Sequence, residues 1–289
     1  MATTSVFVSG SDGLRLHVRI HAPFDPHGLP VVCLPGLSRT TADFDDLAKG
    51  LESEKRRVLA IDSRGRGRSD YDPNPANYNF AVELGDVITA MTELNAWPAV
   101  IVGTSRGGLL TMLLGTVRPD MIAGVVLNDI GPAIEPKGLI RIKASLGKMP
   151  EPKNFDDGAD LLRRSQNAQF PKLTREQWLA FARRTWRNDH GRLVPTYDTN
   201  LSAALGEIDP ATPLPALWNE FDSLSAKPMM VIRGETSDIL SAETVAAMRA
   251  RRASLEVVEV PDQGHTPLLA EADIIARIAG FVKRCDRQA

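Results

Sequence analysis

The chain is 289 residues long, with 43% hydrophobic and 24% charged content and a formal net charge of −2, a composition ordinary for a globular protein. A chain of this size buries roughly 75% of its unfolded surface, enough for a full core without staples. The near-zero charge excludes a positive field that would gather nucleic acid or anionic lipid, and no apolar run approaches the ~18 residues of a bilayer span.

Cys33 and Cys285 stand too far apart in sequence to suggest a disulfide framework or a thiolate metal site. The first ten residues have neither the basic nor the apolar stretch of a secretory signal, so the expectation is a cytoplasmic protein.

Residues 14–20 alternate, with Leu14, Leu16, Val18 and Ile20 on one face and Arg15, His17 and Arg19 on the other, as in a half-buried strand. On this reading His17 and His21 face solvent. Residues 5–9 form a second short strand, and the Ser9-Gly10-Ser11-Asp12-Gly13 cluster between them predicts an antiparallel hairpin. Six apolar runs without alternation follow, at 30–34, 57–61, 99–103, 124–128, 229–233 and 255–260. Strands buried on both faces read this way, as in a parallel sheet covered by helices. Segments of helical period lie near 41–53, 79–95, 106–117, 241–251 and 270–284. The alternation predicts an α/β doubly wound, mostly parallel sheet of eight strands opening with an antiparallel hairpin.

Between Asn128 and Met229 the rhythm stops. That interval is too long for a structureless connection, and it holds Trp178, Trp186 and Trp218. It predicts an inserted, mainly helical cap over residues 132–225, with the core formed by 1–131 and 226–289. A cap placed over the carboxyl ends of the strands covers the region where open α/β sheets bind ligands.

The chemistry is concentrated in a few loops. Gly103-Thr104-Ser105-Arg106-Gly107 follows a strand and opens a helix, the context of a nucleophile elbow. Small residues two before and two after the serine are needed where the backbone doubles back. A serine hydroxyl needs a base. Of the five histidines, His265 stands after the last strand run, where a loop returns to the carboxyl edge of the sheet; the others fall on the early strand or in turns. His265 is the expected general base. Its orienting acid is expected at Asp238, after the strand run 229–233, with Asp129 and Glu235 as alternatives. The backbone N–H groups of Leu37 and Arg106 are the expected oxyanion donors.

These motifs, together with Asp62-Ser-Arg-Gly-Arg-Gly-Arg-Ser69, resemble the α/β-hydrolase family in order and spacing. The resemblance implies a serine nucleophile, an acid, a histidine, two backbone donors, a helical cap, and no cofactor or metal. The sequence looks most like small capped esterases, lactonases and carbon–carbon bond hydrolases. Arg106 departs from the Met, Leu or Gln of many relatives, and Asp129 from their lack of an acid there. The loop Gly65-Arg-Gly-Arg-Ser-Asp70 lacks the third glycine of a dinucleotide fingerprint; its arginines are expected to anchor the loop against carboxylates.

The expected reaction is hydrolysis of a small-molecule ester or lactone through an acyl-enzyme on Ser105, His265 and Asp238. The alternatives are a carbon–carbon bond hydrolase of the meta-cleavage-product type, an acyltransferase or perhydrolase on the same residues, and a hydrolase-fold ligand receptor. Arg106 is a candidate for holding a substrate carboxylate or for pairing with Asp129. Trp178, Trp186 and Trp218, with Phe170 and Phe181, are candidates for an acyl pocket or for the cap's own core. Oligomeric state is not legible.

Overall fold

A computed structural model describes residues 2–206 and 214–287. In chain order the first elements are β1 (Ala2–Ser9), β2 (Arg15–Ala22), β3 (Val31–Leu34), α1 (Asp45–Gly50), β4 (Val58–Ile61), α2 (Phe80–Glu93), β5 (Ala99–Thr104), α3 (Arg106–Val117) and β6 (Ile122–Asn128). The insertion then carries α4 (Pro136–Ser145), α5 (Phe155–Gln166), α6 (Arg175–Thr185), β7 (Trp186–Asp189), β8 (Arg192–Pro195) and α7 (Trp218–Ser223). The chain returns with β9 (Met229–Gly234), α8 (Ala242–Arg251), β10 (Glu256–Val260) and α9 (Ala272–Asp286).

Eight strands make one sheet in the order β1-β2-β4-β3-β5-β6-β9-β10. β1 and β2 pair antiparallel and β2 meets β4 antiparallel, while the remaining neighbours run parallel. The expected doubly wound sheet with its opening hairpin is thus the observed one. Its central strands alternate apolar residues between two cores. Val32, Leu34, Ile101 and Leu127 pack with α2 and α3 on one face. Val31, Cys33, Val100 and Val102 pack with α1 and α9 on the other. Both faces being dry explains why these runs show no polar alternation.

The histidines of β2 differ from expectation. His17 is fully buried and His21 nearly so, because β2 lies inside the sheet, with the loop after β4 against His17 and Asp45 of α1 beside His21. His17 Nδ1 lies 2.7 Å from Asp62 Oδ2 and its Nε2 3.0 Å from Ser5 Oγ. The arginines of that loop anchor it as expected: Arg64 pairs with Asp12, Asp72 and Asp86. Gly67 stands at φ 58°, and a Cβ there would come within 2.2 Å of Asp62 Oδ2, so the turn needs glycine.

The insertion between β6 and β9 is mainly helical but also contains the β7–β8 hairpin, with His190 at its tip. Its own core gathers Leu162, Phe170, Trp178, Ala182, Trp186 and Leu193. Trp178 stacks on Phe181 at 6.0 Å between ring centroids, and a capping box at Thr174 and Gln177 starts α6. Among the described residues no helix is long and apolar enough to cross a membrane.

Candidate active site

β5 and β3 are neighbours, with Leu34 opposite Gly103, so the loops that follow them emerge side by side. Ser105 occupies the turn between β5 and α3 at φ 50°, ψ −115°, a strained conformation for a residue with a side chain. The crossing is close enough that glycine is required. A Cβ at Gly107 would lie 2.0 Å from the Leu34 carbonyl oxygen, and one at Gly103 2.7 Å from that of Gly107.

Ser105 Oγ lies 2.8 Å from His265 Nε2, and His265 Nδ1 lies 2.7 Å from Asp129 Oδ2. With Nδ1 donating to the carboxylate, Nε2 is left to accept from the serine hydroxyl. Asp129 follows β6 at φ 54°, a left-handed turn that aspartate tolerates better than most residues. Its carboxylate is fully buried and takes two further donors, the Gly234 N–H at 2.8 Å and the Ser237 hydroxyl at 2.6 Å. The loop carrying His265 is held from the insertion: its backbone N–H donates to Gln169 Oε1 at 2.8 Å.

The partner expected for His265 was Asp238, and here the structure corrects the sequence reading. Asp238 turns to the insertion, where Arg141 Nε and Nη2 donate to its two carboxylate oxygens at 2.6 and 2.8 Å. Burial alone would raise its carboxyl; the Arg141 guanidinium more than offsets this and holds it below the usual carboxylate value. Glu235 accepts from the Asp262 N–H instead. β6 adjoins β5, with Asn128 opposite Thr104, so Asp129 starts one strand from Ser105, whereas β9 is two strands away.

Arg106 is corrected as well, since it neither pairs with Asp129 nor lines the cavity beside Ser105. Its Nε donates to Glu83 Oε2 at 2.7 Å, and its guanidinium lies 4.0 Å over the Phe80 ring. Arg66 donates from Nη1 to the other Glu83 oxygen, and from Nε to the Leu37 carbonyl, both at 2.7 Å. A buried Arg66–Glu83–Arg106 bridge therefore ties the loop of Leu37 to the turn of Ser105. Arg106 is the first residue of α3, so its N–H has no acceptor within the helix. Leu37 lines the cavity with Ser105, and a Cβ on the preceding Gly36 would lie 3.7 Å from Ser105 Cβ.

The cavity over Ser105 has a volume of about 160 Å³ and is lined on the insertion side by Arg141, Leu146, Leu162, Phe170 and Phe181. Trp178 and Trp186 are buried inside the insertion's core rather than at the cavity. Trp218 packs on Phe221 and under Arg251 beside the main core. None of the three tryptophans is on the cavity wall. Sequence reasoning missed Arg141, Gln169 and Glu83. Nothing local marks them, because each acts on a residue far away in the chain.

A serine, a histidine and a buried carboxylate in series, beside a cavity, can pass a proton from the serine hydroxyl to the imidazole while the carboxylate steadies the ring. A family model described as the alpha/beta hydrolase family matches residues 31–278. A 3-hydroxybutyrate-oligomer hydrolase of Cupriavidus necator is 35% identical over 261 residues, covering 88% of this chain and 87% of that protein. Among solved structures, an alpha/beta hydrolase from Novosphingobium aromaticivorans superposes with a TM-score of 0.91 at 40% identity, over 98% of this chain and 99% of its own. The fold of E-2-(acetamidomethylene)succinate hydrolase matches at a TM-score of 0.80 and 22% identity, covering 98% of this chain and 100% of that one. With its sheet, its strained serine turn and these matches taken together, the chain belongs to the alpha/beta hydrolase family.

Proposed function

We propose that the protein hydrolyses a carboxylic ester or lactone of a small molecule through an acyl-enzyme, with Ser105 as nucleophile, His265 as base and acid, and Asp129 as the orienting carboxylate. The observation that carries this reading is the continuous relay from Ser105 through His265 to Asp129 at the floor of the cavity. Ser105 Oγ attacks the carbonyl carbon as His265 Nε2 takes its proton. The N–H groups of Leu37 and Arg106 receive the oxyanion, each such donor contributing about 3–4 kcal/mol by deletion. Collapse expels the alkoxide, which the imidazolium protonates. Water, deprotonated by His265, then releases the acid and restores Ser105. The sequence requires no metal or cofactor.

The helical insertion, residues 132–225, acts in this reading as a cap that keeps bulk water from the acyl-enzyme. The Cupriavidus relative is named for an oligomer of a hydroxy acid, and such oligomers are joined by ester bonds, which favours the ester over the other acyl substrates. Turnover of p-nitrophenyl acetate and a fluorophosphonate label on Ser105 test the reading together. Wild type is expected to turn over the ester and take up one label on the peptide carrying Ser105. Ser105→Ala should lose both, and retention of near-native turnover in that variant overturns the assignment.

A further inference from the structure

Three arginines, Arg39, Arg141 and Arg184, line the cavity over Ser105, and Asp43 is the one acidic residue among the described residues that lines it with them. Arg39 is committed: Nε and Nη2 go to Asp43 at 2.7 and 2.6 Å, and Nη1 to the Thr185 hydroxyl at 3.0 Å. Arg184 is tied through Nη2 to Asp46 at 2.5 Å.

Arg141 is held differently. Its Nε and Nη2 make a side-on pair with Asp238, which uses one edge of the planar fork. A guanidinium has a second edge, Nη1 with the remaining Nη2 hydrogen, that matches a carboxylate equally well. On that edge the described residues supply only Gln166 Oε1, at 3.4 Å, the outer limit of a hydrogen bond. Arg141 and Gln166 both line the cavity, so this weak contact lies between two residues of its wall. The Asp238 pair orients the fork and leaves that edge available to an anion.

Resting on the ester-hydrolase reading above, we propose that the open edge of Arg141 receives a carboxylate of the substrate, making short carboxylate-bearing esters the preferred class, with Asp238 as the positioning residue that holds Arg141 for them. Gln166 yields its weak contact when the anion arrives.

The test compares monoethyl glutarate with ethyl pentanoate, esters of matched length that differ in a terminal carboxylate. Wild type is expected to favour the acid in kcat/KM by about 10–100-fold, the usual range for hydrogen bonds to a charged group. Arg141→Gln should abolish that ratio through KM for the acid. Arg141→Lys, which keeps the charge and loses the fork, should restore part of it, and Asp238→Asn should lower it partway. Equal turnover of the two esters by wild type, dependent on Ser105, overturns this proposal and leaves the hydrolase reading standing. An equal loss on both esters in Arg141→Gln also overturns it. If neither ester is turned over, p-nitrophenyl acetate turnover still decides the hydrolase reading, and calorimetry of glutarate with Ser105→Ala decides the subsite. Binding that disappears in the added Arg141→Gln background upholds it, and no binding overturns it.

Discussion

Asp129 and His265, 136 positions apart in the chain, meet through a 2.7 Å contact between carboxylate and Nδ1 at the edge of the sheet. The carboxylate that faces the histidine comes from the strand adjoining that of the serine, and the later candidate, Asp238, is taken by Arg141. Asp129→Asn is expected to keep the fold and lose about 10⁴-fold in kcat, because the amide favours the wrong imidazole tautomer. Asp238→Asn on a neutral ester should cost at least about a hundredfold less than that, the orienting role lying elsewhere. Steady-state kinetics of the two variants, side by side, checks the order.

The Arg66–Glu83–Arg106 bridge yields a prediction with a pH sign. Burial opposes ionisation of Glu83, yet Arg66 and Arg106 hold its carboxyl below the ordinary value of 4.5. A depressed folded value gives stability that is complete above that ordinary value and is lost as the pH falls through the lower, folded one. Glu83→Gln strands two buried guanidiniums, so it should cost about 3–5 kcal/mol at neutral pH. The gap to wild type should narrow below roughly pH 4. Urea denaturation across that window measures it.

Trp178 lies in the insertion's core, stacked on Phe181 and edge-on to Phe170. Trp178→Ala is expected to cost about 3–5 kcal/mol, the usual penalty for deleting a large buried ring. The effect should show in thermal or chemical unfolding. A changed substrate preference with stability intact would place the ring on the cavity instead.

Both cysteines are free and fully buried. Burial pushes the Cys285 thiol up to about 12 and raises that of Cys33 as well, so neither supplies thiolate at neutral pH. The native protein should show no reaction with a chromogenic disulfide reagent, and two thiols should appear in denaturant. Thiol reagents are accordingly expected to leave hydrolysis intact.

Much of this was legible in the residues. The runs at 99–103 and 124–128 are uninterrupted because both faces of β5 and β6 are dry, and glycines flank Ser105 because the Leu34 carbonyl crowds Gly107 and the start of α3 crowds Gly103. His265 was readable from its place after the last strand. Asp129 and Asp238 could not be ranked locally, since Asp238 is taken by an arginine that the insertion supplies. Arg106 was misread because its partner, Glu83, sits on a different helix. The same limit hid the burial of His17, whose cover comes from the Asp62 loop.

The side-chain amide of Gln169 fastens the backbone of His265 from above, and a Cβ at Gly264 would strike that same amide at 2.1 Å. Roof and floor of the cavity are thus stitched together at His265 itself. Trimming the roof away, or grafting another in its place, disturbs the imidazole before it touches selectivity, so exchange of this segment between relatives has to carry residue 169 along with it.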